Sequence, residues 1–180
     1  MHIRLARISD AAALLKIYRP YITDTAVSFE LTVPTVSEFA DRIAEVLADY
    51  PYLVAEDDDG QILGFVYAHR YRPRAAYDWT VETSIYTDKA ARGKGVGRQL
   101  YQALETELAT QHVTSLLACV TGENLASLAF HQHLGYELVG TFKQVGFKHG
   151  KGYDTYWLQK QLSAATGEAF IPYSQLPHSA

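Results

Sequence analysis

The apolar residues in the middle of the chain change from a two-residue repeat to a helical repeat. β-branched side chains occupy every second position from 81 to 87, which is typical of a β-strand. Further along, Leu100, Leu104 and Leu108 recur on one helical face together with Tyr101. Residues 80–104 therefore predict a strand, a short loop and a helix in succession.

Apolar residues at helical spacing predict three further helices. The first covers residues 11–22, and we expect Pro20 to bend or end it. The second opens at a capping box formed by Thr35 and Glu38. The third begins after Asn124, whose side chain is a good N-cap. The predicted buried face of the second helix consists of Phe39, Ile43, Val46 and Leu47.

Runs rich in β-branched and aromatic residues predict the remaining strands, which are residues 3–6, 52–56, 61–71, 114–121, 137–147 and 153–162. Residues 28–32 are expected to be extended. Residues 57–60, three aspartates and a glycine, and residues 148–152 are predicted hairpin turns. The aspartates of the first turn would also suit a calcium ion, but a hairpin tip is the preferred interpretation.

This order of elements predicts an α/β (α+β) fold in which helices flank a mixed sheet. A chain of 180 residues is long enough for one domain with its own core. We predict one domain over residues 1–162 and a C-terminal tail over residues 163–180.

Composition argues against several classes of function. The net charge is −4, and no basic stripe is interleaved with aromatic residues, so binding to nucleic acid is not expected. The sequence shows no signal peptide and no apolar span of about 20 residues, so we expect a cytoplasmic location without membrane contact. The single cysteine, Cys119, lies in an apolar run and is expected to be buried as a packing residue rather than to act as a nucleophile.

The loop between the central strand and its helix combines glycines with basic residues, reading Arg92-Gly93-Lys94-Gly95-Val96-Gly97-Arg98. Glycine lets the backbone approach a ligand closely, and free N–H groups at a helix start attract anions. The loop is therefore a candidate diphosphate site. A glycine-rich turn without a ligand is the alternative.

The spacing of the glycines and basic residues distinguishes between known kinds of phosphate-binding loop. A P-loop requires Gly-Lys-Ser/Thr, and Gly95 is followed by Val96. A dinucleotide fingerprint requires G-x-G-x-x-G, which is absent here. The pattern Arg92-x-x-Gly95-x-Gly97 resembles the coenzyme A motif of the GNAT superfamily of N-acetyltransferases. The resemblance implies the GNAT fold, with two splayed central strands that receive the pantetheine arm of acetyl-CoA, and no metal.

Acetyl transfer to an amine requires a group that removes a proton from the amine. Glu82 is the candidate base, because it lies in the strand that leads to the loop. Apolar neighbours, among them Trp79, Val81 and Ile85, would bury the carboxyl partly and raise its pKa. A solvent-facing carboxylate is the alternative, and whether Glu82 acts directly or through water stays open.

Asn124, Ser127 and His131 are spaced to share one helical face. They resemble the segment that follows the cofactor-binding strand in GNAT enzymes, where many relatives carry a tyrosine proposed to protonate the thiolate at the position of His131. Because histidine titrates near neutral pH, we prefer an acid role for His131 over a packing role. His133 matches a position that often faces the cofactor. His131 and His133 lie on different faces, which argues against a metal pair.

Further segments extend the resemblance to phosphinothricin and methionine sulfoximine/sulfone acetyltransferases, over roughly residues 3–162. The most specific run is residues 76–82, Ala-Tyr-Asp-Trp-Thr-Val-Glu. The resemblance implies a homodimer that acetylates the α-amino group of a small, anionic, amino-acid-like substrate. It implies a substrate site formed by Phe29, Arg72, Pro73, Arg74, Tyr77, Thr83 and Ser84. It implies a cofactor site formed by Ile85, Tyr86, Thr87, residues 92–98, Asn124, Ser127 and His133.

One departure from these relatives leaves the substrate open. They usually carry a tryptophan after Lys-x-Gly-Arg/Gly, whereas this chain continues past Gly152 with Tyr153 and Asp154. Two other functions also remain, an acetyltransferase for protein N-termini or lysines and a non-catalytic acyl-CoA sensor. Arg72 and Arg74 suit a small anion better than a peptide. Glu82 favours an enzyme over a sensor.

Overall fold

A computed structural model of the protein describes residues 1–176. Seven strands and four α-helices are found in this range. The strands are β1 (His2–Leu5), β2 (Tyr52–Glu56), β3 (Ile62–Arg70), β4 (Thr80–Thr87), β5 (Ser115–Thr121), β6 (Glu137–Lys148) and β7 (Lys151–Gln161). The helices are α1 (Ala11–Thr23), α2 (Val36–Asp49), α3 (Val96–Thr110) and α4 (Leu125–His133).

All seven strands form one sheet in the order β1-β2-β3-β4-β5-β7-β6. Every neighbouring pair is antiparallel except β4 and β5, which are parallel. Helices α1 and α2 bury their apolar faces against one side of the sheet, and α3 packs against the other. The predicted α/β fold with a mixed, mostly antiparallel sheet is therefore confirmed.

The predicted capping box at the start of α2 is confirmed. Thr35 Oγ1 accepts a hydrogen bond from the Glu38 N–H at 3.2 Å, and the Glu38 carboxylate accepts one from the Thr35 N–H at 2.7 Å. The expectation that Pro20 would end the first helix is wrong, because α1 continues to Thr23. Proline removes its own N–H donor and its ring crowds the preceding turn, but its carbonyl still accepts a hydrogen bond from the N–H of Asp24, so the helix continues beyond it.

Two predicted connections differ from the structure. The turn between β6 and β7 is shorter than the predicted residues 148–152, because His149 and Gly150 take left-handed φ angles of 50° and 78° and reverse the chain in two residues. Residues 28–32, predicted to be extended, lie in an irregular loop between α1 and α2. Contacts with other elements fix this loop, so local sequence patterns could not predict its path.

Side chains from β6 and β7 hold the α1–α2 loop. Lys148 is 3% exposed and donates hydrogen bonds of 2.6 Å to the carbonyls of Ile22 and Ser28. The ring of Phe29 packs on Gly146 so closely that it occupies the space a Cβ atom there would need. The ring of Tyr153 lies on Phe29 with centroids 6.1 Å apart.

The described part of the predicted tail, residues 163–176, packs on the rest of the fold. Trp79 Nε1–H donates a 2.6 Å hydrogen bond to the carbonyl of Glu168, and Gln111 Nε2–H donates one of 2.8 Å to that of Ile171. Residues 177–180 lie outside the described residues, and the domain limits remain a prediction. No helix in the described range has the length and apolarity to cross a membrane.

We predict that Gly146→Ala destabilises the protein, because the new methyl group would collide with the ring of Phe29. Overpacking of this kind costs about 1–3 kcal/mol in the free energy of unfolding, measured by urea denaturation. Gly140→Ala is the matched control, since Gly140 lies on the same strand and a methyl group there would meet no atom within 4 Å. Equal stability of the two variants would contradict this packing.

Candidate active site

The central strands β4 and β5 pair over three residues only and then part. Thr80, Val81 and Glu82 of β4 lie opposite Ser115, Leu116 and Leu117 of β5, and no pairing follows. A cleft of about 580 Å³ opens where the strands separate. The splayed strands expected from the family resemblance are therefore confirmed, and the cleft is the candidate active site.

The glycine-rich loop lies at one end of this cleft, at the start of α3. Gly93 and Gly95 take left-handed φ angles of 76° and 79°, which side chains rarely adopt, and Gly95 is the N-cap of α3. A Cβ atom on Gly97 would lie 3.1 Å from the ring of Phe130. Gly93 and Gly95 thus allow the tight turn of the loop, and Gly97 allows α3 to pack closely on Phe130. The free N–H groups of the first helical turn make the loop a suitable site for an anion.

Most of the predicted cofactor residues line the cleft, namely Ile85, Tyr86, Thr87, Arg92, Gly93, Gly95, Val96, Gly97, Arg98, Asn124 and Ser127. Lys94 and His133 are not among the lining residues. His133 is exposed, and its Nδ1 donates a 2.7 Å hydrogen bond to the carbonyl of Ala129. The side chain of Asn124 accepts a hydrogen bond from the N–H of Ser127 at 3.2 Å and so caps α4.

Sequence patterns missed the wall of the cleft that comes from elsewhere in the chain. Tyr21 of α1, together with Thr25 and Val27 of the α1–α2 loop, lines the cleft. Tyr21 Oη donates a 2.7 Å hydrogen bond to the carbonyl of Thr87 and accepts one of 3.1 Å from Arg92. These contacts join segments that are 66 and 71 residues apart, and no local signal could have indicated them.

Cys119 is exposed, and the expectation that it would be buried is wrong. It lies on β5 beyond the last pair with β4, so no neighbouring strand covers it on that side. The rest of the cleft still withholds water from its thiol, and this raises the pKa of Cys119 to about 11. The sequence pattern recognised a central strand correctly but could not show that the strand next to it departs.

Glu82 lies at the last paired position of β4, directly before Thr83 and Ser84, which line the cleft, but is not itself a lining residue. Its cross-strand neighbour on β3 is His69. Partial burial raises the pKa of Glu82, and the nearby charges of His69 and Arg72 oppose that shift without cancelling it. A carboxyl with a raised pKa at the edge of a cleft is suited to accept a proton near neutral pH.

A chain of buried polar groups spans the point where β4 and β5 part. Thr83 Oγ1–H is shared between the carbonyl of Leu117, at 3.1 Å, and the hydroxyl oxygen of Tyr101, at 3.0 Å. Tyr101 Oη in turn lies 2.8 Å from His131 Nε2. Thr83 and Tyr101 are both buried, at 5% and 0% exposure. The side chain of Thr83 thus links β4 to β5 where the backbone pairing stops.

His131 is buried, and both of its ring nitrogens have partners. Nδ1 lies 2.8 Å from the carbonyl of Ser127, which can only accept, so Nδ1 carries a hydrogen. Burial lowers the pKa of His131, which favours the neutral ring with Nε2 as the acceptor from Tyr101. The single ring N–H of neutral His131 is therefore directed at the carbonyl of Ser127. The acid role remains a prediction.

The predicted substrate residues fall into two groups. Thr83 and Ser84 line the cleft, whereas Phe29 packs on Gly146 and Tyr153 and is not a lining residue. The segment with Arg72, Pro73, Arg74 and Tyr77 is exposed and does not line the cleft. The guanidinium of Arg72 lies over the ring of Tyr71, 4.7 Å from its centroid. No group of three or more potential metal ligands occurs among the described residues.

Comparison with known proteins gives a consistent result. Residues 3–157 match the family described as "Acetyltransferase (GNAT) domain". Phosphinothricin N-acetyltransferase from Alcaligenes faecalis is 40% identical, covering 94% of this chain and 86% of its own. L-methionine sulfoximine/L-methionine sulfone acetyltransferase from Pseudomonas paraeruginosa is 35% identical, covering 89% of this chain and 94% of its own. The crystal structure of a phosphinothricin acetyltransferase from Sinorhizobium meliloti in complex with AcCoA superposes with a TM-score of 0.88 at 35% identity, covering 94% of this chain and 92% of that chain.

We predict that Thr83→Val destabilises the protein although valine has nearly the same shape. The variant would leave the buried carbonyl of Leu117 without its side-chain donor, which costs about 1–3 kcal/mol in the free energy of unfolding. Thr83→Ser keeps the hydroxyl and should lose only the contribution of one methyl group, about 1 kcal/mol or less. Urea denaturation measures both. A valine variant at least as stable as the serine variant would show that the hydroxyl is unimportant.

Proposed function

Because this chain belongs to the GNAT family of N-acetyltransferases, we propose that it transfers the acetyl group of acetyl-CoA to the α-amino group of a small, anionic, amino-acid-like acceptor. The acceptor is of the phosphinothricin or methionine sulfoximine/sulfone type, on which the named relatives act. One observation carries the proposal. The gap between β4 and β5 has the free N–H groups at the start of α3 at one end, and at the other end the last paired position of β4, which carries Glu82 with its raised pKa.

In this proposal the diphosphate of acetyl-CoA binds at the start of α3. The backbone N–H groups after Gly95 and the charges of Arg92 and Arg98 would neutralise it. The pantetheine arm would then follow the gap, where the unpaired edges of β4 and β5 offer N–H and C=O groups to its amides. This course brings the thioester toward Glu82. The comparison structure from Sinorhizobium meliloti, which contains AcCoA, supports this cosubstrate.

Glu82 is the proposed base. The neutral amine of the acceptor attacks the carbonyl carbon of the thioester, and a C–N bond forms while Glu82 accepts a proton from the nitrogen, directly or through water. The C–S bond then breaks, the acetylated amine leaves, and the CoA thiolate takes up a proton. A carboxyl with an ordinary pKa would be a weaker base for this step, so the burial of Glu82 has a direct chemical role.

The acid role predicted for His131, protonation of the thiolate, is less favoured by the geometry than a positioning role. In the neutral ring the only N–H is shared with the carbonyl of Ser127. The contact from Nε2 through Tyr101 to Thr83 ties α4 and α3 to the point where the strands part. His131 would then influence catalysis by holding the cleft in shape.

We also propose that the protein is a homodimer that uses the exposed edge strand β6. Large apolar side chains are exposed along this strand, namely Leu138, Val139, Phe142, Val145 and Phe147, between 50% and 71%. An exposed, apolar edge strand promotes association, and a contiguous apolar patch commonly marks an interface. A cytoplasmic location remains a prediction.

The proposed reaction is tested by release of CoA thiol from acetyl-CoA with phosphinothricin or methionine sulfone as the acceptor. Glu82→Gln should lower kcat by about 10²-fold or more, because the general base is lost. In the unchanged protein the rate should rise with pH through the raised pKa of Glu82, because only the deprotonated carboxyl accepts a proton. This rise should disappear in the variant.

Asp41→Asn is the control, since Asp41 is exposed on α2 and does not line the cleft. Cys119 carries a free, exposed thiol, so each assay needs a blank without acceptor to measure the signal of the protein itself. An unchanged rate in Glu82→Gln across the pH range would remove the role of Glu82. Binding of acetyl-CoA without turnover of any amine would favour a sensor, and turnover of peptides alone would favour a protein acetyltransferase.

Light scattering after size-exclusion chromatography should give twice the chain mass. Phe142→Asp should shift the protein to the monomer, because the charge would lose water on association. Ile8→Asp is the control, since Ile8 is also exposed but lies next to β1 at the opposite edge of the sheet. A mass of one chain for the unchanged protein would contradict the proposed homodimer.

A further inference from the structure

A second cavity, of about 460 Å³, lies beside the cleft and shares only Tyr86 with it. We propose that this cavity, called here the aromatic pocket, receives the side chain of the acceptor and selects a large, uncharged, apolar side chain. The inference rests on the proposed function, acetyl transfer to an α-amino group, and revises its acceptor from the phosphinothricin type to an amino acid with an uncharged, apolar side chain. The anionic group of the acceptor is then its α-carboxylate, and the side chain itself is aromatic or of similar apolar bulk.

The register of the sheet brings the aromatic pocket next to Glu82. Three alternate residues of β3, Phe65, Tyr67 and His69, line the pocket, and they lie opposite Tyr86, Ser84 and Glu82 of β4. Cross-strand neighbours project on the same face of a sheet. An amine held near Glu82 therefore has the aromatic pocket directly beside it.

The wall of the aromatic pocket consists mainly of aromatic rings. Tyr52 stacks on Tyr67 with ring centroids 4.8 Å apart and an interplanar angle of 14°, and on Phe65 at 5.7 Å. Tyr18 meets Tyr86 edge to face at 4.6 Å and Phe39 at 5.7 Å. Rings in such numbers favour an aromatic or other polarisable apolar ligand.

The two arginines of the aromatic pocket are already paired. Arg42 donates hydrogen bonds of 2.7 and 3.3 Å to the two carboxylate oxygens of Glu30, and Tyr18 Oη donates to the same carboxylate at 2.9 Å. Arg70 lies 3.7 Å from the carboxylate of Asp78. Glu45 and Asp49 add negative charge to the lining. An anionic side chain, such as the phosphinate of phosphinothricin, would lose water here without gaining an unpaired arginine, and His69, the remaining basic side chain of the lining, lies opposite Glu82.

Size agrees with this assignment. Ligand pockets of about 300–1,000 Å³ hold small molecules, and the aromatic pocket falls in that range. A side chain as small as that of alanine would leave most of the volume unfilled. Large apolar side chains would gain the most from leaving water, which gives the pocket its preference.

The first test is the thiol-release assay with four acceptors, L-phenylalanine, L-alanine, phosphinothricin and methionine sulfone. We expect kcat/KM for L-phenylalanine to exceed the values for L-alanine and phosphinothricin by about tenfold or more. Turnover of phosphinothricin and methionine sulfone with none of L-phenylalanine would overturn the inference and leave the proposed function intact. No turnover of any of the four would overturn both.

Two variants test the pocket itself. Val46→Trp fills it from α2, and should lower kcat/KM for L-phenylalanine about tenfold while changing that for L-alanine by less than about twofold. Glu30→Gln frees the charge of Arg42, and should raise the phosphinothricin-to-phenylalanine ratio of kcat/KM about tenfold. Asp41→Asn is the matched control, because it removes one exposed carboxylate of α2 that does not line the pocket.

These two variants distinguish a misfolded protein from a wrong assignment of the pocket and from a wrong argument about its charges. Unchanged acetyl-CoA binding, measured by calorimetry, would show that each variant is folded. An equal loss with L-phenylalanine and L-alanine in a folded Val46→Trp variant would overturn the pocket assignment. An unchanged acceptor ratio in Glu30→Gln would overturn the argument from paired charges.

Discussion

The separation of β4 from β5 after three paired residues is the constraint on which the site depends. A parallel pair that continued would bury the unpaired backbone edges and close the cleft. The separation leaves backbone groups of both strands without a partner on the neighbouring strand. The hydroxyl of Thr83 compensates at one place, because it donates a hydrogen bond to the carbonyl of Leu117. Helices α3 and α4 are joined to this point through Tyr101 and His131. The apex of the cleft is therefore a fixed part of the core.

Much of the fold could be predicted from the sequence because its signals are local. The alternation in β4, the leucine face of α3 and the Thr35–Glu38 capping box each act within a few residues, and the structure has all three. The glycine loop could also be recognised, since Gly93 and Gly95 take backbone angles that other residues rarely adopt. The separation of the two central strands was predicted from the family resemblance alone, because the periodicity of apolar residues carries no information about where neighbouring strands part.

What escaped prediction depends on contacts between distant segments. Cys119 is exposed because its neighbouring strand departs, and nothing in its own apolar run indicates this. Tyr21 reaches the cleft through its bond to Thr87, and the α1–α2 loop is held by the bonds from Lys148. The aromatic pocket is assembled from α1, α2 and three strands, so its rings resemble ordinary core residues in the sequence.

The hydrogen bond from Trp79 to the carbonyl of Glu168 ties the C-terminal segment to the residue just before β4. Trp79 is one of two tryptophans in the chain, and it stands three positions ahead of Glu82. Its indole is thus an intrinsic fluorophore at the start of β4, and its emission would report whether the terminal segment is docked.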